Sequence, residues 1–537
     1  MTEFLLSEDN FKYGTLLLQV RLSTYSEDSS RYEVKIAKPD LMLGDAAEYQ
    51  ELTPNGERTK DYQDGAASYM LKRLGMSEEE IADTIEKAYA FDEKLSHFQK
   101  TLLEQYDPSY RKESINMVTM EEIKEMSPDF PLPEYMEKYG WSASELIDVE
   151  WPEAVTGLNS LYTEENLEEL KANLLVSKVS DYITLLDEEA FREYESLSNA
   201  LDGITESEPD EELAYNETKA LFPDSFARLY KDRYLSEKMK NDITQICQSC
   251  IDTYSEMLDE EDWLSEETRS YAKEKLAKMK IHAVYPDKWE DYSIFHVTPA
   301  SEGGTYFKAF MDYALAVKER SLGRINGSVD SEIWGVDILQ PNAFYKFTDN
   351  SINIVPGLFS DATYSEDMSI EHVYGAIGCM IGHEISHGFD TNGAMYDAEG
   401  NMRDWWADED YATFQERAAK LIDYYDQVVA FDDGTPYQGQ IVQTEAIADM
   451  AGMKCILKMA EKIEDFDYDE FFKANAHLWA RVNTLESCEA MVMTDSHPLH
   501  YLRGNVTVQQ FDKFLETYGI EEGDGMYLAP EDRILVW

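Results

Sequence analysis

The stretch GCMIGHEISHGFD, residues 378–390, contains two of the nine histidines in this chain of 537 residues. His383 and His387 are four residues apart, and Glu384 directly follows the first. On an α-helix, residues four apart lie on one face, so both imidazoles can reach a single metal ion. In this pattern two histidines bind zinc and the intervening glutamate acts as a general base. The stretch therefore predicts a helix that carries a metal site.

A catalytic zinc site takes three protein ligands and leaves the fourth position open. Further along the chain, VQTEAIADMAGM places Glu445 and Asp449 one helical turn apart. Small and apolar residues surround both acids, so we expect them to face inward. Glu445 is the predicted third ligand. Asp449 is predicted to accept the far N–H of a ligand histidine and so to fix its orientation.

The charge balance is strongly acidic, with 47 basic and 108 acidic residues and a net charge of −61. Such a surface repels nucleic acid and anionic membranes, so neither is an expected partner. No apolar run approaches the ~18 residues of a membrane helix, and the first residues do not resemble a secretion signal. We expect a soluble chain without membrane insertion. The sequence predicts neither its compartment (bacterial cell surface, secreted or cytoplasmic) nor its oligomeric state.

The five cysteines are too few and too scattered for a disulfide framework. Cys247 and Cys250 have the spacing of a redox or metal-binding pair. They lie within a helical pattern, however, and no second pair follows. We therefore expect buried helix thiols.

The chain divides into three segments of different character. Residues 15–22 and 32–36 alternate in polarity and predict a β-hairpin, and residues 1–50 are assigned to the sheet of the catalytic domain. Residues 51–260 follow helical periodicity and predict an all-helical lid domain, in which Ser77 and Glu80 form a capping box. Residues 261–537 mix short strands with helices over 444–463 and 468–485. The predicted fold class is mainly α, of α+β type.

A set of motifs occurs in one order and spacing through the last two hundred residues. They are NAFY (342–345), GHEISHGFD (382–390), DWW (404–406), TEAIAD (444–449), DSHPLHYLRGN (495–505) and PEDRILVW (530–537). Together they resemble the neprilysin and endothelin-converting-enzyme family of zinc metalloendopeptidases. The resemblance implies a thermolysin-like zinc catalytic domain with a small β-sheet, covered by a helical lid that admits short peptides.

The resemblance also implies roles for individual residues. His383, His387 and Glu445 match the ligands of one zinc ion per chain, and Glu384 matches the base that activates water. Asp449 matches the carboxylate that orients a ligand histidine.

Four further positions match the family's peptide-handling residues. Asn342 and Ala343 match the clamp that hydrogen-bonds an extended substrate. His497 matches the histidine that stabilises the oxyanion, and Arg503 matches the arginine that grips a substrate carbonyl. The implied reaction is hydrolysis of internal bonds of oligopeptides on the amino side of hydrophobic residues.

The chain departs from the family pattern at both ends. The family's terminal Cys-x-x-Trp is replaced by the sequence from Ile534 to Trp537. The family's disulfides are thus not kept, which favours a bacterial oligopeptidase-like member. The chain also begins far later than the family's catalytic regions do, so we expect a shortened or truncated member.

Three alternatives stay open beside the zinc endopeptidase. The chain could be a peptide-binding homologue of the same fold without turnover. It could be a zinc aminopeptidase, which shares HExxH and a distant glutamate but needs an acidic site for the free amine of its substrate. A purely structural helical protein would fit the composition, although not the motifs.

Overall fold

Helices dominate the computed structural model, which describes residues 1–14, 16–431 and 434–537. The helices of the first half are α1 Thr2–Leu5, α2 Glu8–Tyr13, α3 Pro54–Arg73, α4 Glu78–Ser96, α5 Leu102–Gln105, α6 Pro108–Glu113, α7 Met120–Met126, α8 Leu132–Tyr139, α9 Pro152–Leu161, α10 Leu167–Leu186, α11 Glu188–Leu201, α12 Asp210–Leu221, α13 Pro223–Tyr234 and α14 Glu237–Glu260. Those of the second half are α15 Glu266–Lys278, α16 Tyr306–Gly323, α17 Ile370–Val373, α18 Cys379–Ser386, α19 Asp408–Tyr425, α20 Gly439–Ala460, α21 Tyr468–Leu478, α22 Leu485–Thr494, α23 His500–Val508 and α24 Asp512–Tyr518. The predicted, mainly helical fold class is confirmed.

Seven short strands form two separate sheets in the described residues. The strands are β1 Gln19–Thr24, β2 Tyr32–Ala37, β3 Met117–Val118, β4 Ile147–Val149, β5 Lys280–Ala283, β6 Ala343–Lys346 and β7 Ser351–Ile354. The first sheet has the order β1-β2-β4-β3 and the second has the order β5-β7-β6. β6 is therefore an edge strand, which leaves one side of its backbone open to pairing.

The predicted hairpin is confirmed, since β1 and β2 pair antiparallel with Gln19 opposite Ala37. The predicted first strand began at Thr15, which lies outside the described residues. The hairpin was expected in the catalytic sheet; in the structure β2 pairs in parallel with β4, with Val34 opposite Ile147, and belongs to the sheet β1-β2-β4-β3. The lid segment is likewise not all-helical, because it contains β3 and β4. Strands of two and three residues are too short to give a periodic signal.

The helix boundaries follow from local chemistry. α4 begins directly after Ser77, and both hydrogen bonds of the predicted capping box with Glu80 are present. The helix predicted over 468–485 ends earlier, at Leu478. Thr484 caps a new helix there by accepting the N–H of Ser487, so the chain leaves one helix before entering the next.

Within the described residues, the buried apolar side chains form three clusters. One spans residues 5–174, a smaller one lies within residues 42–190, and the largest spans residues 227–537. α14 contributes to the largest cluster, and its cysteines, Cys247 and Cys250, are buried free thiols there. The hydroxyl of Tyr254, also in α14, donates to the Gly382 carbonyl at 2.7 Å. The predicted lid boundary lies at residue 260; from these contacts we propose that the lid ends before α14. No helix in the described ranges is long and apolar enough to cross a membrane.

Candidate active site

The two histidines lie at the end of a continuous helical stretch. α17 leads through a π-helical turn, Tyr374–Gly378, into α18, and His387 caps the end of α18. His383 and His387 thus lie one turn apart, with their Nε2 atoms separated by 3.0 Å and both rings buried. The two Nε2 atoms are therefore close enough to bind one metal ion, the arrangement that the sequence predicts.

Glycines bring the second ligand helix close to the first. A Cβ atom on Gly382 of α18 would lie 2.9 Å from the Cα of Gly452 in α20, and one on Gly452 would lie 2.6 Å from the backbone nitrogen of His383. Only residues without side chains allow this approach. The approach places Glu445 Oε2 at 3.1 Å from His383 Nε2 and 3.6 Å from His387 Nε2.

These three side chains could hold a metal ion. A tetrahedral zinc with bonds of about 2.0–2.2 Å separates its ligand atoms by roughly 3.4 Å, and the observed separations of 3.0–3.6 Å fit this value. Glu445 Oε2 is buried and accepts no well-directed hydrogen bond from the described part of the chain, although ring nitrogens of His383 and His497 lie 3.1 Å away. Two neutral imidazoles and one carboxylate are also the donor set that zinc prefers.

Outer carboxylates fix the orientation of both rings. His383 Nδ1 lies 2.8 Å from Asp449 Oδ1, and His387 Nδ1 lies 2.7 Å from Asp390 Oδ2. A proton on each Nδ1 leaves the Nε2 lone pair free for a metal. The position of Asp449 agrees with the sequence prediction, whereas Asp390 was missed. The available signal was an acid three residues after His387, in the HGFD sequence.

Glu384 points into the same space from the same helix. It is buried, and its carboxylate lies within 4.8 Å of the ring nitrogens of His383 and His387. Burial raises the pKa of Glu384, and the two histidines only partly offset this effect. A carboxylate with a raised pKa is suited to accept and return a proton near neutral pH.

His497 approaches from the opposite wall. Its Nε2 lies 3.1 Å from Glu445 Oε2, and its Nδ1 lies 2.7 Å from Asp495 Oδ1. Burial alone would lower the pKa of His497, but Asp495 and Glu445 outweigh burial and raise it to about 9. Asp495 was not predicted from the sequence, although it lies only two residues away.

Arg503 reaches the site but is already engaged. Its Nε and Nη2 donate to the two oxygens of Asp449 at 2.8 and 2.7 Å, and its guanidinium lies 4.0 Å from the ring centre of Trp479. Burial would raise the pKa of Asp449, but Arg503 and His383 outweigh burial and lower it to about 2. Arg503 thus holds the carboxylate that orients His383, a contact that the sequence did not predict.

Asn342 and Ala343 lie where the edge strand begins. Ala343 is the first residue of β6, and the exposed Asn342 precedes it. The Asn342 side-chain oxygen accepts the N–H of Ala343 at 3.0 Å. All nine predicted site residues line one pocket of about 320 Å³, namely Asn342, Ala343, His383, Glu384, His387, Glu445, Asp449, His497 and Arg503.

A buried lysine below the site was also missed. Lys275 of α15 is fully buried, and its Nζ donates to the carbonyls of Gly388, Gly393 and Tyr396 at 2.7–2.8 Å. These carbonyls flank Asp390, so Lys275 fixes the turn that orients His387. Burial lowers the pKa of Lys275 to about 7, although nearby acids oppose the shift. A lysine in a charged helix gives no sequence signal of this burial.

Known proteins match the chain over nearly its whole length. Two models of peptidase family M13 match residues 3–286 and 342–534. A neutral endopeptidase of Lactobacillus helveticus is 27% identical over 505 residues, which are 93% of this chain and 76% of that protein. The crystal structure of PepO from Lactobacillus rhamnosis has a TM-score of 0.92 at 24% identity and covers 99% of this chain and 84% of that one. The inhibitor complex of Mycobacterium tuberculosis zinc metalloprotease Zmp1 has a TM-score of 0.88 at 23% identity, with 99% and 82% covered.

Proposed function

The chain belongs to peptidase family M13 and is a zinc metalloendopeptidase, and on that premise we propose how it acts and on what. It cleaves internal bonds of short peptides on the amino side of hydrophobic residues. One zinc ion is held by His383, His387 and Glu445. The observation that carries the proposal is the convergence of these three donor atoms, with both rings oriented by buried carboxylates.

The chemistry divides between the metal and the side chains around it. Bound zinc lowers the pKa of water toward about 7 and polarises a carbonyl oxygen. Glu384 takes the proton of the attacking water and passes it to the leaving amine. His497, oriented by Asp495, presents its Nε2–H to the oxygen that becomes negative in the transition state. Asp449 and Asp390 hold the imidazoles in one tautomer throughout.

The edge strand positions the peptide. An extended peptide can add to β6 as a further strand and hydrogen-bond the backbone of Ala343. The Asn342 amide turns from its own backbone to the substrate, and Arg503 offers a free N–H beside Asp449. Holding the peptide in this way places its scissile carbonyl at the metal site and reduces the entropy that the reaction must lose.

Side-chain preference follows from the apolar end of the pocket. Cys379, Met380, Met453 and Trp479 line it next to the ligand helices. Burying one leucine- or phenylalanine-sized side chain there contributes about 2 kcal/mol to binding. This supports a hydrophobic residue directly after the cleaved bond. Tyr106 and Arg111, from the first half of the chain, line the same pocket and limit its access to short peptides.

Digestion of a mixed peptide library, read by mass spectrometry, tests the proposal. We expect the zinc-loaded wild type to cut internally before hydrophobic residues. Glu384→Gln, which keeps the shape and the ligands, should bind zinc and leave the library intact. Cleavage by this variant at the wild-type rate would show that Glu384 is not the base that activates water.

Two other outcomes are decisive. Single residues released only from amino termini would identify an aminopeptidase. A folded, zinc-loaded wild type that leaves every peptide intact would support the binding protein instead.

A further inference from the structure

One cation reaches the pocket from the opposite half of the molecule. Arg111 lies in α6, on the helical side, and lines the pocket together with the metal-binding side chains. Its Nε donates to Asn392 Oδ1 at 2.9 Å, and its guanidinium lies 4.9 Å from the ring centre of Phe347. These two contacts hold the side chain at the pocket that it lines.

The charge of Arg111 is not neutralised within the described residues. No carboxylate there lies within ion-pair distance of it, and its two terminal nitrogens make no hydrogen bond. The second arginine of the pocket, Arg503, is by contrast paired with Asp449 through two hydrogen bonds. Asp390, on the same turn as Asn392, is used by His387 and by the N–H groups of Asn392 and Gly393.

An unpaired, partly buried arginine is unusual in this molecule. The chain has more than two acids for every base, 108 against 47, and most of its cations find a carboxylate. A guanidinium taken partly out of water without a counter-charge is costly unless a ligand supplies one. Its planar fork matches the two oxygens of a carboxylate.

The two ends of the pocket are defined by the ligand helix. Cys379 and Met380 lie one turn before His383. Met453 lies beside them, because its neighbour Gly452 packs against the Cys379 carbonyl. These residues form the apolar end. Asn392 follows His387, and Phe347 follows the last residue of β6, so Arg111 lies at the other end.

We propose that Arg111 forms a subsite for a carboxylate side chain of the substrate, on the amino side of the cleaved bond. This rests on the proposed function, in which the apolar end takes the residue directly after that bond. A peptide extended along β6 then runs toward Arg111 in the other direction. Arg111 contacts Phe347, the residue directly after β6, so a peptide extended along β6 passes the guanidinium before the cleaved bond, and the first three residues before that bond are the candidates. Arg111 is thus a specificity-determining residue that selects Glu or Asp.

Matched peptides test the assignment. Each carries one hydrophobic residue after the bond and either Glu or Gln at one of the three preceding positions. A charge-assisted hydrogen bond predicts a Glu preference of about 10-fold or more in kcat/KM at one position. In Arg111→Gln we expect the Glu-to-Gln ratio of kcat/KM at that position to fall to about 1. Arg111→Glu should reverse the preference in favour of Lys.

A matched control lies next to it on the same helix. Lys112 is exposed and pairs with Asp404 outside the pocket, so Lys112→Ala should leave the ratio unchanged. If Arg111 only stabilises the contact between the two halves, Arg111→Gln will lower kcat/KM equally for the Glu and Gln peptides. That result overturns the assignment.

The wild type separates failure of the subsite from failure of the proposed function. Equal cleavage of the Glu and Gln peptides at all three positions refutes the subsite and leaves the peptidase in place. Cleavage of neither peptide refutes both.

Discussion

Replacing Glu33 with glutamine should stabilise the protein at alkaline pH and leave its stability at pH 4.5 almost unchanged. Glu33 lies in β2, fully buried, on the same face as Lys35, and its Oε2 has no hydrogen-bond partner among the described residues. Asp148, opposite Lys35, is also buried and is paired with it. Burial in the first place, and Asp148 in the second, raise the pKa of Glu33 from 4.5 to about 8.

The sign follows from proton linkage. Below pH 4.5, Glu33 is protonated in both the folded and the unfolded chain and does not affect the free energy of unfolding. Between pH 4.5 and about 8 only the unfolded chain ionises, so the folded state loses stability as the pH rises. Above pH 8 both states are ionised, and the penalty stays constant.

The size of the effect follows from the same shift. At about 1.4 kcal/mol per pKa unit, the full penalty is about 5 kcal/mol, and a glutamine does not incur it. At roughly 2–4 °C per kcal/mol for a unit of 150–250 residues, the variant should melt about 10–20 °C higher than the wild type at pH 8.5. The relevant signal, followed by circular dichroism, is the unfolding transition of the half that contains β2.

Melting curves at pH 5 and pH 8.5 decide the matter. Glu51→Gln, at an exposed glutamate, is the control and should not change the midpoint differently at the two pH values. If the melting midpoints of Glu33→Gln and the wild type differ by the same amount at both pH values, the linkage argument is refuted. A lower midpoint for the variant at pH 8.5 would refute it as well.

The remaining predictions concern the site. His387→Ala should lose its zinc; metal analysis of the purified protein checks this, and full occupancy would contradict the ligand assignment. Asp390→Ala and Asp449→Ala should each lower zinc affinity or turnover about 10–100-fold, and an unchanged zinc titration with unchanged turnover would count against the orienting role. Lys275→Met leaves three buried carbonyls without a donor and should cost about 3 kcal/mol or more in thermal unfolding, with a drop in kcat; native stability with full activity would show that the turn holds without it.

Sequence alone could predict the residues whose relation is local. The histidine pair and the Glu445–Asp449 pair each lie within one helical turn, where spacing determines which side chains share a face. The resemblance supplied Asn342, Ala343, His497 and Arg503, and the structure places all of them in the same pocket. Their roles in binding and chemistry remain predictions.

The rest depends on contacts between distant segments. Lys275 is more than a hundred residues from the carbonyls it binds, and Arg111 is 281 residues from Asn392. No periodicity links such positions. The strand pairing of β2 with β4 was missed for the same reason, since three residues of β4 carry too little pattern to reveal a partner.

The contact between Gly382 and Gly452 limits how this protein can vary. Glu445 lies about two turns from Gly452 on the same helix, so the separation of the two helix backbones sets the spacing of the ligand atoms. A core substitution elsewhere that moves α20 by a few tenths of an ångström can leave the protein folded and still disturb the site. In the core around α18 and α20, fewer substitutions should therefore preserve activity than preserve folding.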